Sequence, residues 1–158
     1  MHGCLFTFEA LLKQIKLTKN DQLFLLGDYI NKGKNSKGVV DLIIKLQENQ
    51  EKNGYQIFPL RGNHEQMLIE DYEGISTNEY LDKTNNYSEL HYKFVSNLSY
   101  FYELDNYFLV HAGFNVEINN PFLDFETMLW KRGFAITNEE KIIFFMIKRL
   151  SSDIIPLF

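Results

Sequence analysis

Cysteine occurs once in the 158 residues, at Cys4, so no disulfide can form within the chain and a reducing, cytoplasmic setting is expected. No stretch approaches the roughly 18 consecutive apolar residues of a membrane-spanning helix. No basic segment followed by a short apolar one opens the chain, so neither a secretion signal nor a membrane partner is expected. Positive charge is scarce: 16 Lys and Arg stand against 21 Asp and Glu, and the net charge of −5 with no basic patch argues against nucleic acid as the main partner. A glycine-rich phosphate loop is missing too, since Gly27 to Gly33 leads into Lys34-Asn35 and not into Lys-Ser or Lys-Thr. Internal repeats and low-complexity blocks are absent.

What remains is the composition of one globular domain, 1–158, with 45% hydrophobic and 23% charged residues. Aromatic residues reach 15%, enough for a heavily packed core with some left for a partner or missing segment to cover. Apolar residues at 5, 8, 11, 12 and 15 predict an amphipathic helix over Leu5 to Ile15. Asp21 to Leu26 is a short apolar run that reads as a buried strand. Ser36 to Asn49 reads as a second helix with Ser36 as its N-cap, and Tyr55 to Leu60 as a second strand after the turn at Asn53-Gly54. Short helices are expected over Asn63 to Asp71 and Asn86 to Leu98, with Glu73 to Asn85 a polar surface excursion between them. Tyr107 to Val110 is a third strand, and Asn138 to Leu150 a final helix. This order is that of an α/β fold with parallel pairing.

Each of the three strands ends in a polar cluster: Gly27-Asp28, Gly62-Asn63-His64-Glu65 and His111-Ala112-Gly113. Taken singly, an Asp after a strand is an ordinary turn or capping residue. Parallel strands, however, put their C-terminal ends side by side, so the three clusters are expected to meet in one crevice. Oxygen from Asp and Asn with nitrogen from His suits divalent ions such as Mn, Fe or Zn. A carboxylate that bridges two such ions about 3.5–4 Å apart, with a water acidified between them, is the chemistry of phosphate-ester hydrolysis.

These segments, with His2-Gly3-Cys4 ahead of them and Gly27-Asp28-Tyr29-Ile30-Asn31-Lys32-Gly33 in full, resemble the calcineurin-like metallophosphoesterases over residues 2 to about 133. Within them the match is to bacterial serine/threonine phosphoprotein phosphatases. The resemblance implies a β-sandwich flanked by helices and two divalent metal ions, Mn2+ first, with Fe, Zn or Mg as other candidates. It implies His2 on one metal, Asp28 bridging both, and Asn63 and His111 on the second. His64 would act as general acid, with hydrolysis by metal-activated water and no phospho-enzyme. Arg61 and Arg132 would hold phosphate oxygens through their planar forks. Glu65 would orient the adjacent backbone.

Where the family has Asp-Arg, this chain has Asn31-Lys32. Asn31 then stands beside the general acid without a charge, and Lys32 keeps a phosphate-binding charge without the bidentate fork. An Asp ahead of His2 and a His after His111 belong to the family pattern and not to this sequence. The expectation is an incomplete domain that lacks the first strand and the C-terminal strands, with impaired activity. The leading expectation is a hydrolase of phosphoserine and phosphothreonine in proteins; the alternatives are hydrolysis of symmetrical dinucleoside tetraphosphates or another small phosphate ester, and a non-catalytic remnant serving as a binding module. Of the other residues, His91 is expected at the surface, Trp130 in the core, and Cys4 buried and inert.

Overall fold

The computed structural model describes residues 1–76, 86–105, 107–115 and 117–132, together with the backbone of Phe145–Lys148 and Ile154–Leu157. The apolar stripe of Leu5–Ile15 does form a helix, α1, which buries Phe8 and Ile15 and ends at Lys16, whose left-handed backbone (φ 51°) turns the chain. Strand β1 follows at Gln22–Leu25. Helix α2 spans Ser36–Glu48, but its cap is Asn35: that side chain accepts the Gly38 N–H at 2.9 Å. Ser36 is already helical, and its hydroxyl accepts the Asn31 N–H at 2.9 Å. A cap needs a non-helical backbone, which Asn35 has at φ −144°.

A single turn of helix, α3 (Gln50–Asn53), leads through Gly54 into β2, Gln56–Pro59. Helix α4 (Asn63–Tyr72) leaves directly from the end of β2, and α5 covers Glu89–Ser96. Most of the expected surface excursion, residues 77–85, lies outside the described residues. β1 and β2 pair in parallel as expected, Leu23 opposite Ile57 and Leu25 opposite Pro59. The outer edge of β2 is closed by side chains. Gln50 accepts the Ile57 N–H, Gln47 donates to the Ile57 carbonyl, and Pro59 has no N–H to offer.

The third strand departs from expectation. β3 (Phe101–Leu104) and β4 (Tyr107–Val110) form an antiparallel hairpin in a second sheet, and β4 is not a parallel neighbour of β1 and β2. Only Asp105 and Asn106 separate the two strands in sequence, and so short a connection can only return antiparallel. Helix α6 (Phe125–Trp130) follows. Within the helix expected over Asn138–Leu150, Phe145–Lys148 is a strand, β5, and Ile154–Leu157 a further strand, β6; the other residues of that segment lie outside the described ones. A continuous apolar run reads alike for a buried strand and a buried helix. β5 pairs antiparallel with β1, and the first sheet runs β2-β1-β5-β6, so strands stand near the C-terminal end where none was expected.

Alternation along β1 divides the core. Leu23 and Leu25 face the helices in a cluster with Phe8, Val39, Val40, Ile43 and Ile57. Phe24 and Leu26 face the hairpin with Leu60 and Leu109. Burying each such side chain stabilises by roughly 1.5–3 kcal/mol. Phe24 stacks on Phe58 at 4.8 Å, and Tyr102 from β3 meets both edge-on, so the two sheets pack face to face as the expected sandwich. No helix among the described residues is long and apolar enough to cross a membrane.

Candidate metal centre

The chain leaves β1 through a backbone that ordinary side chains avoid. Gly27 has φ 90°, and Asp28, Asn31 and Lys32 follow at 59°, 65° and 62°. Each left-handed non-glycine residue costs about 1–2 kcal/mol, so the surroundings must hold the loop in place. The buried carboxylate of Glu65, on the first turn of α4, does much of this. One of its oxygens accepts the N–H groups of Gly62 (2.9 Å) and Asp28 (2.8 Å), and the other those of Tyr29 (2.8 Å) and Ile30 (3.3 Å). Burial raises its carboxyl, the Asp28 charge adds to this, and the N–H bonds from Asp28 and Tyr29 oppose it.

Tyr29, fully buried, sets its hydroxyl between the carbonyls of Leu25 (2.8 Å) and Leu60 (2.7 Å), clamping the exits of β1 and β2 together. Gly62 is required by close approach, because a Cβ there would lie 2.5 Å from the Asp28 nitrogen. The opening turn joins the same loop. The His2 N–H donates to the Asp28 carbonyl at 2.6 Å and the Gly3 N–H to that of Tyr29 at 2.7 Å.

These restraints aim four side chains at the Asp28 carboxylate or its immediate neighbours. His2 Nε2 is 3.2 Å from Oδ2, and His111 Nε2 is 3.4 Å from Oδ1 and 3.0 Å from the side-chain oxygen of Asn63. The ligand atoms of His2, Asp28 and His64 lie within 4.8 Å of one another. The hairpin delivers His111 although its strand belongs to the other sheet, so the expected convergence occurs by a different route. His111 Nδ1 faces the Leu26 carbonyl at 2.6 Å, and His2 Nδ1 faces that of Ile30 at 3.2 Å. A carbonyl only accepts, so each Nδ1 carries a proton, and in a neutral ring Nε2 presents a lone pair to a carboxylate oxygen. Two such atoms repel unless a proton or a cation lies between them. Histidines anchored through Nδ1 with Nε2 free are also the usual posture of metal ligands, so the donor set fits divalent ions.

Burial would raise the Asp28 carboxyl, but the His2 hydrogen bond and the charges of His111, His64 and His2 outweigh it and bring it down to about 2. The carboxylate is therefore ionised at neutral pH. His64 is pushed below its usual value, first by burial and then by the charges of His2, Lys32 and His111, against Asp28. The Asn31 amide nitrogen lies 2.8 Å from His64 Nδ1; donation across this contact leaves the ring proton on Nε2.

Other expected residues fall elsewhere. Arg61 does not join the cluster: it is buried, and its guanidinium donates to Gln66 (3.0 Å), the Tyr100 hydroxyl (2.7 Å) and the Ser96 carbonyl (2.7 Å). Lys32 is exposed beside the loop, and Arg132 is exposed after α6, which the bond from Ala112 N–H to the Met128 carbonyl (2.8 Å) holds against the His111 loop. Cys4 is exposed, not buried. His91 is buried, not at the surface. Its Nδ1 accepts the Ser88 N–H at 3.0 Å and its Nε2 meets Asp41 at 2.8 Å, tying α5 to α2. Trp130 packs against the main core, as expected. Tyr29 escaped the sequence reading, and nothing in the sequence marks it apart from its place beside Asp28.

The family model described as calcineurin-like phosphoesterase matches residues 1–151. The symmetrical bis(5'-nucleosyl)-tetraphosphatase of Wigglesworthia glossinidia brevipalpis is 39% identical over 70 residues, 44% of this chain and 23% of that protein. Proteins of the same name from Pectobacterium atrosepticum (34% over 86 residues, 54% and 28%) and Pectobacterium carotovorum subsp. carotovorum (33% over 84 residues, 52% and 27%) are also similar. The matches thus span about a quarter of the length of these relatives. No solved structure matches.

Proposed function

The chain belongs to the calcineurin-like phosphoesterase family, and we propose that it is a metal-dependent hydrolase of small phosphate esters and anhydrides, with dinucleoside tetraphosphates as the substrate class. One observation carries this reading: the two oxygens of Asp28 are divided between His2 on one side and His111 with Asn63 on the other. A carboxylate shared in this way is suited to bridge two divalent ions. The relatives support the tetraphosphate reading over the phosphoprotein one, since none of those named above is a protein phosphatase.

Bound ions would supply Lewis-acid polarisation of the phosphoryl group and a more acidic water. The chain's own residues do the rest. Asp28, ionised because its pKa is held near 2, supplies the negative charge that offsets the ions. His2 and His111 are locked in orientation by the Ile30 and Leu26 carbonyls, and Asn63 completes the second set. His64 would donate an Nε2–H hydrogen bond to the departing oxygen and so stabilise its charge, while Asn31 holds Nδ1. Lys32 and Arg132 supply positive charge for phosphate oxygens. Water adds across the central P–O–P bond, one half taking the hydroxyl and the other the proton, and two nucleoside diphosphates leave.

The test is hydrolysis of diadenosine tetraphosphate, a phosphoserine peptide and an aryl phosphate with Mn2+, by this chain and by Asp28→Asn and His64→Ala. Turnover of the dinucleotide that both substitutions abolish is expected. Turnover of the peptide alone would move the substrate class to phosphoproteins. Intact metal binding with no turnover of any substrate would leave the binding-module reading.

A further inference from the structure

Arg61, Tyr100 and Phe125 form one column of planar groups. The Arg61 guanidinium carbon sits 4.5 Å over the Tyr100 ring, and the Phe125 ring stacks on Tyr100 at 4.3 Å with 21° between planes. One ring face cannot hold both neighbours at these distances, so they take opposite faces and Phe125 is the end of the stack. That end reaches solvent, since Phe125 is 41% exposed.

The column is fastened to both loops of the metal centre. At its inner end Arg61 adjoins Gly62-Asn63-His64, and its N–H donates to the Ser99 carbonyl at 2.8 Å, next to Tyr100. At its outer end Phe125 opens α6, which Ala112, the neighbour of His111, holds through the Met128 carbonyl. The cap residue Asp124 fixes that turn by accepting the Thr127 N–H (3.0 Å) and hydroxyl (2.7 Å). A single exposed Phe is ordinary on a protein surface. A flat ring at the end of a cation-capped stack, on elements bonded to the segments that carry His64 and His111, is not.

We propose that the outer face of Phe125 is a stacking platform for a nucleobase of the substrate. This rests on the reading of the neighbouring cluster as a phosphate-hydrolysing centre, and it makes the site selective for nucleotides over phosphorylated side chains. Bases of every kind present a flat π face, so the platform holds purines and pyrimidines alike without reading their edges.

Three probes separate the platform from the phosphate site: AMP, ribose 5-phosphate, which lacks the base, and adenosine, which lacks the phosphate. In calorimetric titrations with Mn2+ present, AMP should bind about tenfold more tightly than ribose 5-phosphate. Phe125→Ala should remove that advantage and leave ribose 5-phosphate as before, and Phe125→Trp should keep it. Adenosine should receive saturation transfer in NMR from the parent chain and from Phe125→Trp, and lose it in Phe125→Ala. If ribose 5-phosphate fails to bind, the phosphate-site reading fails while the adenosine signal still decides the platform. Equal affinities for AMP and ribose 5-phosphate in a chain that binds both, or an adenosine signal unchanged in Phe125→Ala, would overturn the proposal.

Discussion

The carboxylate of Glu65 lies 2.8 Å from the main-chain nitrogen of Asp28, and the same side chain accepts N–H groups from Gly62, Tyr29 and Ile30. Both oxygens face donors only. In Glu65→Gln one of them becomes an NH2 group pointing at two N–H groups, with no room to turn because the site is fully buried. Hydrogen bonds to charged acceptors contribute about 1.5–3 kcal/mol each, and a buried donor left unpaired costs a similar amount. Glu65→Gln should therefore lower the unfolding free energy by about 3 kcal/mol in urea denaturation and weaken Mn2+ binding as the left-handed loop relaxes. A variant as stable as the parent would mean that the loop does not depend on this acceptor.

Divalent metal should stabilise the fold in proportion to its occupancy. An ion that binds only the native state at a hundred times its Kd adds about 2.7 kcal/mol, which appears as a raised Tm on titration with Mn2+. Asp28→Asn removes the charge shared by both clusters. Loss of a mere supporting partner of a metal ligand costs about 10–100-fold in affinity, so loss of Asp28 should cost at least as much. Calorimetry of the parent and variant decides the matter: equal affinities would exclude a centre built on Asp28.

The parts of this site that could be read in the sequence are those whose causes are local. β1 and β2 were readable because strands buried on both faces carry unbroken apolar runs, and Asp28, Asn63 and His111 because each stands where such a run stops. Contacts between distant segments left no such mark. His91 reads as a solvent residue because its partner Asp41 is fifty residues away. β3 is poorly marked because Asp105-Asn106, which separates the two aromatic-rich strands, lacks the glycine that signals a two-residue hairpin turn. Phe145–Lys148 completes a sheet with β1, and no local feature of that apolar run announces the pairing.

Arg61 separates a phosphate-binding role from a structural one. Its guanidinium is committed to Gln66, Tyr100 and Ser96, and a lysine in its place cannot reproduce that fork. Arg61→Lys should lower stability by about 2 kcal/mol, from lost charge-assisted hydrogen bonds, and leave ribose 5-phosphate binding nearly unchanged. The reverse pattern, weakened phosphate binding at full stability, would restore Arg61 to the role that the motif suggests.

Asp41 offers a test by pH far from the metal centre. Burial would raise its carboxyl, but hydrogen bonds from His91 and Lys37, with their charges, outweigh this and hold it below the usual value. The folded pKa thus lies below the unfolded one, so the ionised carboxylate contributes its stability above about pH 4 and loses it as pH falls through the folded value. Asp41 is about half exposed and its partner Lys37 similarly so, which limits the contribution to about 1 kcal/mol or less. Asp41→Asn keeps an oxygen to accept the His91 Nε2–H and removes only the charge. Its deficit in urea denaturation should be small at pH 7 and smaller at pH 3, which lies below the unfolded carboxyl's value. A deficit that stays constant between those pH values would show that the link between α2 and α5 rests on packing alone.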